Sequence, residues 1–455
     1  MTATTNITLS LTESLRSGPY RRIWNLSWPT ILSNLTVPLL GAVDTAVMGH
    51  LPDAAYVGAV AVGAMIFSFV YWGFGFLRMG TVGFAAQAKG SGDTDEIRAV
   101  LARALLVGVA LAFVILALQT PVRLGALAII DGAPQVERLA GAYFDTRIWG
   151  APATLANYSL LGWLLGMQYV RTALVVQVFI NGLNVVLDLW FVLDLGWGVE
   201  GVALATAIAQ YAGAFLALFL VRRHLRAIGG RWRRARILDA TALRETFRVN
   251  RDIFLRTLAM IFAWSLLTWS SARLGTTVLA ANAILMNFQS FLAHGLDGFA
   301  HATSALVGEA VGARDRRALR RCVVAATVMA AIVAAGYTLI YASAGPAIVR
   351  LFTNIAELRT FSSDYLVWII ASPLLSVWSY QLDGIFIGAT RSAEMRNAML
   401  ASVALYVLAM ATLPALLGNH GLWLSVMIFM VARALTLAIQ YPKIERAVAI
   451  DTGEN

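Results

Sequence analysis

Charge is scarce in this chain of 455 residues. Asp, Glu, Lys and Arg make up 13% of it, about half of the roughly 25% carried by soluble domains. Cysteine is scarcer still: Cys322 stands alone, which excludes an intrachain disulfide and a cysteine-based zinc cluster. The five histidines, His50, His224, His294, His301 and His420, form no convergent set at an interface, so an integral-membrane enzyme is not expected. Residues 1–20 are polar and read as no cleavable signal. The segments near 50–53, 194–200 and 418–421 carry no Lys or Arg.

What is abundant is apolar surface. Hydrophobic residues make up 59% of the chain and the mean hydropathy is +0.71. Apolar runs long enough to cross a hydrocarbon core of about 30 Å recur throughout. They predict about twelve spans, over 23–49, 54–80, 98–120, 137–162, 170–193, 199–221, 252–273, 277–307, 319–343, 362–388, 397–417 and 420–441. The fold class is an all-α integral membrane protein. The net charge of +10 is concentrated: ten arginines lie between 222 and 251, and others follow spans 8 and 10, at Arg314, Arg316, Arg317, Arg320, Arg321, Arg391 and Arg396. Arginine-rich loops stay cytoplasmic. Both termini and the basic stretch are therefore placed in the cytoplasm, at the cell (inner) membrane, and nucleic acid is not an expected partner.

The basic stretch divides the chain into a lobe over 1–221, a linker over 222–251 and a lobe over 252–455, six spans on either side. The halves echo each other at an offset of about 222 residues. QAKGSGDTDEIRAVL (87–101) aligns with EAVGARDRRALRRCV (309–323), and LLGWLLG (160–166) with QLDGIFIG (381–388) after one inserted residue. An even number of spans per half makes this a parallel repeat, the arrangement in which transporters bind substrate between two halves. Asp188 falls opposite Met410 and Asp383 opposite Leu161, so each half carries its own intramembrane carboxylates.

In span 5, VVQVFINGLNVVLDLW, the residues Gln177, Asn181, Asn184 and Asp188 are spaced 4, 3 and 4 apart and share one helix face. A polar stripe cannot face lipid. Gln177 and Asn181 suit interhelical hydrogen bonding, whereas a carboxylate at the centre of a span costs about 2.5–3.5 kcal/mol and points to function. Span 1 holds Pro29, Pro38 and then Asp44, and span 6 holds Thr206 and Gln210 one turn apart. Arg256 in span 7 either snorkels to the interface or pairs with Asp297 or Asp383. His294, Asp297 and His301 share a face of span 8, too few ligands for a structural metal site. Phe67, Tyr71 and Phe74 are those aromatics of span 2 expected to line an apolar substrate chamber.

The segments DTAVMGHLPDAAYVGAVAVG, NGLNVVLDLWFVLDLGWGVEGVALAT and QLDGIFIGATRSAEMRNA resemble the multidrug and toxic compound extrusion family over nearly the whole chain. FLRTLAM and GLDGFAHA resemble its DNA-damage-inducible F-type (DinF-like) branch. The resemblance implies a cation-coupled exporter working by alternating access, with Asp44, Asn184, Asp188 and Thr206 as the amino-lobe cation or proton site. Asn181, Gln210, Arg256, Asp297 and Asp383 are secondary candidates. The implied coupling ion is H⁺, with Na⁺ as the alternative. The sodium-coupled branch places a glutamate in span 7, where this chain offers Arg256 instead, with no acid between Asp252 and Asp297. A lipid-linked precursor flippase of the wider superfamily is the other alternative. No cofactor or metal is implied. The expected partners are small amphipathic or cationic molecules and membrane lipid, and the expected state is a monomer.

Overall fold

The structure is a computed structural model, and it describes residues 18–49, 53–130 and 132–450. Among these the chain is helical throughout, with no strand. This follows from the solvent, since hydrocarbon satisfies no backbone N–H or C=O and a helix satisfies them within itself. The described chain forms two compact units. Residues 32–247 make the amino lobe, and residues 248–450, with residues 19–31 of the first helix, make the carboxy lobe.

The first helix, α1 (Pro19–Met48), thus contributes to both. In the amino lobe it is followed by α2 (Ala54–Gly73), α3 (Phe76–Gly90), α4 (Thr94–Ala117), α5 (Gln119–Ile130), α6 (Pro134–Arg147), α7 (Ala151–Gly166), α8 (Val170–Asp188), α9 (Gly198–Ile228) and the short α10 (Arg234–Ile237). The carboxy lobe is built from α11 (Ala240–Leu274), which begins in the amino lobe, α12 (Thr276–Gly312), α13 (Arg316–Phe352), α14 (Ala356–Asp364), α15 (Leu366–Gly388), α16 (Ser392–Leu417), α17 (Asn419–Ala438) and α18 (Tyr441–Ile450). Nine of the described helical stretches are long and apolar enough to cross a membrane, or ten if α14 and α15, bent by 46°, count as one. The two remaining runs, 23–49 and 137–162, are helical too, the second divided by a 3₁₀ turn at Ile148–Gly150.

The repeat governs where helices stop. Left-handed backbone occurs at Gly92 and Arg314, at Gln168 and Thr390, and at Gly196 and Gly418, each pair 222 residues apart. The first of these turns leads into Asp93 and Asp315, each capping the next helix by accepting from backbone amides at its start. Glycine closes the helix crossings in the same register. A Cβ on Gly162 or Gly166 would run into the carbonyls of Arg78 and Val82, and one on Gly384 or Gly388 into those of Ala300 and Ser304. LLGWLLG therefore aligns with LDGIFIG directly, and the inserted residue expected from the sequence is not needed.

The stretch 222–251 is mostly helical. α9 continues through it to Ile228, Gly229 and Gly230 turn the chain with φ of 83° and 79°, and α10 and the start of α11 follow. Within the amino lobe this segment is pinned to the start of α4. Arg98 donates to the carbonyls of Leu225 and Gly229 at 2.7 Å. Arg233 pairs with Asp95 at 2.6 Å, Arg236 pairs with Asp93, and Arg103 donates to the Arg236 carbonyl at 3.1 Å. Burial raises the Asp93 carboxyl, but the Arg236 hydrogen bond and the capped amides of Glu96 and Asp95 outweigh it and leave it below the ordinary value.

Two outcomes are expected. Gly162→Ala or Gly388→Ala forces a methyl into a neighbouring backbone, costing about 1–3 kcal/mol as overpacking does, whereas Gly336→Ala meets open space; thermal unfolding in detergent compares them. Because its folded pKa is depressed, Asp93 stabilises above the ordinary carboxylate range and that contribution is lost as pH falls through the folded value. Hydrogen exchange over residues 233–237, corrected for intrinsic rate, should rise below about pH 4, and Asp93→Asn should show the same rise at neutral pH.

Candidate functional site: a buried carboxylate in each lobe

In the amino lobe the stripe on α8 packs inward as its spacing predicts. Asn181, Asn184 and Asp188 are buried, Asp188 completely. The side chains form a ladder. Gln177 Nε2 donates to Asn181 Oδ1 at 3.0 Å, and Asn181 Nδ2 donates to Thr36 Oγ1 on α1 at 2.7 Å. Asn184 Nδ2 donates to Thr206 Oγ1 on α9 at 3.3 Å, while Thr206 Oγ1 donates to the Val202 carbonyl at 3.0 Å. Asn184 Oδ1 is buried and receives no hydrogen bond, an open acceptor one turn from the Asp188 carboxylate. α8 ends at Asp188, and residues 189–194 wind as a π-helical turn in which Leu195 N donates to the Trp190 carbonyl at 3.1 Å. Such turns are frequent at functional sites. Asp44 stands on α1, but its side chain lies outside the described residues.

The carboxy lobe treats its carboxylate differently. Asp383 on α15 is buried, and its Oδ2 accepts from Arg256 on α11 and from Arg433 on α17, the latter at 2.7 Å. Both arginines are buried, Arg433 to 2% exposure, and the Nε of each is buried with no acceptor. Arg433 also lies 5.5 Å from the Phe429 ring centroid and donates to Met430 Sδ at 3.4 Å. Asp297 stands on α12. Of the alternatives the sequence left open for Arg256, pairing with Asp383 is the one observed.

One family accounts for both halves. Residues 29–190 and 253–413 each match the MatE family. The chain belongs to the MatE family. It is 43% identical to DNA damage-inducible protein F of Escherichia coli over 92% of this chain and 91% of that one. It is 25% identical to human multidrug and toxin extrusion protein 1 over 91% and 73%. Among solved structures, a MATE transporter in the bent conformation aligns over 96% of this chain and 98% of its own, with a TM-score of 0.83 at 20% identity. The outward-facing conformation of a multidrug resistance MATE family transporter gives 0.82 at 21% over the same shares. At those identities the likeness establishes the two-lobe fold. Membership makes the chain a multi-pass membrane transporter, not an enzyme.

The other expected residues of this MatE chain fall in four places. Gln210 does not join Thr206: its Oε1 and its carbonyl both accept from Asn157 Nδ2 on α7 at 2.9 Å. Phe67 and Tyr71 come together in a cluster, with ring centroids 5.5 Å apart. Phe67 stacks on Phe144 at 5.1 Å, and the Arg147 guanidinium lies 4.9 Å from its centroid. Phe74 stays out of that cluster, at the break between α2 and α3, where it meets Phe76 instead. His294 Nδ1 lies 2.6 Å from the Ser290 carbonyl of its own helix. Sequence reasoning missed Arg433 and Asn157. A lone arginine in VMIFMVARALTLA was the available signal for the first.

Removing Asp383 strands two buried cations, and breaking a buried pair costs about 3–5 kcal/mol. Asp383→Asn should therefore unfold at a lower temperature than the double variant Asp383→Asn/Arg433→Met, which deletes one of the stranded charges. Equal midpoints would show that the pairing contributes nothing.

Proposed function

We propose that this transporter is a proton-coupled exporter of small amphipathic or cationic molecules, with Asp188 as the group that carries the coupling proton. The observation that carries this reading is the completely buried Asp188 carboxylate beside the open acceptor Asn184 Oδ1. A protonated carboxyl can donate to an acceptor such as Asn184 Oδ1, whereas an ionised one only accepts, so gain or loss of the proton changes which hydrogen bonds the amino lobe can make. Ionised Asp188, with Asp44 on α1, defines the state that retains substrate. Proton entry from outside neutralises them and repacks the amino lobe, and substrate leaves. Return inward releases the proton. The driving force is the difference in proton affinity between the two states.

One feature favours the proton over sodium. In the carboxy lobe Asp383 already holds two guanidiniums, so a cation there would have to displace one of them. The names of the relatives, multidrug resistance and toxin extrusion, support the substrate class. The basic stretch and the positive-inside rule support cytoplasmic termini in the inner membrane.

In vesicles loaded with a fluorescent cationic drug, a pH gradient alone should drive transport by the purified protein and a sodium gradient alone should not. Asp188→Asn, folded as judged by thermal unfolding, should fall to the level of protein-free vesicles. Sodium-driven transport by the wild type, or pH-driven transport surviving in the variant, would overturn the assignment.

A further inference from the structure

A groove of about 500 Å³ lies between α4 and α9 in the amino lobe. Leu105 and Leu218 form part of its apolar floor. Arg98, Arg222 and Arg226 stand around it with the Trp232 indole, and among the described residues no acidic side chain lines it. Arg222 and Arg226 are exposed and one helical turn apart. Arg98 spends its hydrogen bonds on the carbonyls of Leu225 and Gly229 and lies 5.3 Å from the Trp232 ring centroid. The groove therefore pairs an apolar trough on two membrane-spanning helices with the exposed guanidiniums of Arg222 and Arg226 and an interfacial tryptophan at one end. Arginine marks the cytoplasmic end of a span and tryptophan its interface, and basic pockets between spans on that side bind lipid head groups.

The repeat supplies a built-in comparison. The carboxy lobe has a groove of the same volume, lined by Val323 and Thr327, the residues 222 positions after Leu101 and Leu105 of the first. Its rim differs. Arg320, the counterpart of Arg98, is held by Glu445 at 2.6 Å. The α4 wall of the first groove recurs on α13, while the facing wall and the rim differ, the second groove being closed by α15 and α17 with no arginine among its described lining residues.

We propose that the amino-lobe groove is a binding site for an anionic phospholipid, its phosphate held by Arg222 and Arg226 and one acyl chain lying along Leu105 and Leu218. Neither residue pair belongs to the proposed coupling site, so the two proposals stand or fall separately.

Native mass spectrometry of the full chain, titrated with phosphatidylglycerol or phosphatidylcholine, tests it. Each arginine near an anionic lipid contributes about 1 kcal/mol. Arg222→Gln/Arg226→Gln should therefore weaken phosphatidylglycerol binding roughly 30-fold and leave phosphatidylcholine unchanged. Leu218→Trp, which fills the trough at an exposed position, should weaken both lipids. Arg317→Gln/Arg321→Gln, a pair of equal charge on the carboxy lobe, should change neither. The site is refuted if the wild type binds the two lipids equally, if the arginine double variant keeps its preference, or if glycerol phosphate without acyl chains competes at equal concentration.

Discussion

Hydrocarbon offers no counter-ions, so a charge sunk into a membrane lobe must be matched inside it or be kept ready to vanish by protonation. The carboxy lobe shows the first solution, and on the proposed reading the amino lobe uses the second. In the carboxy lobe Asp383 receives two guanidiniums on one oxygen, and α11, α15 and α17 are tied together through that atom. In the amino lobe Asp188 is completely buried, and the buried polar residues that precede it on α8, Asn181 and Asn184, are amides. An amide stripe can tolerate a carboxylate in either protonation state, because the amide nitrogen donates and its oxygen accepts. A guanidinium cannot, since it only donates.

This division sits on a scaffold that the halves hold in common. Helix ends recur at the same 222-residue offset, and the glycine crossings of α7 with α3 and of α15 with α12 bring backbones together in matching register. Close backbone approach is how membrane helices associate where no hydrophobic force drives them. The repeat therefore fixes the frame, and the polar chemistry is placed on it separately in each half. Leu161 packs where its counterpart Asp383 carries charge, and Met410 occupies the position matching Asp188.

Much of this is legible in the residues and some is not. The stripe on α8 shows because four polar side chains at spacings of 4, 3 and 4 stand out in an apolar run, and a helix converts that spacing into one face. The carboxy-lobe cluster is half legible. Arg256 and Asp383 each signal a buried charge in need of a partner, but Arg433 becomes visible only when the charges of that lobe are counted together. The Asn157–Gln210 pair joins residues on α7 and α9, and no local pattern links them. The aromatics of span 2 occupy every face of the helix, so periodicity could not separate Phe67, which is buried, from Phe69 and Trp72, which are about half exposed. The π turn after Asp188 has no sequence mark beyond the glycines that follow it.

That turn bears on how a proton could be felt. Asp188 is the last residue of regular α-helix before the backbone widens to the wider hydrogen-bond spacing of the π turn. A π turn is a small distortion that a helix can relax or move, and side-chain charge at its edge biases which arrangement is preferred. The carboxy-lobe carboxylate has no such freedom, because moving Asp383 would leave two buried cations unpaired at a cost of several kcal/mol. On the proposed reading, the lobe with the soft helix end and the amide-lined acid is the one that answers to pH.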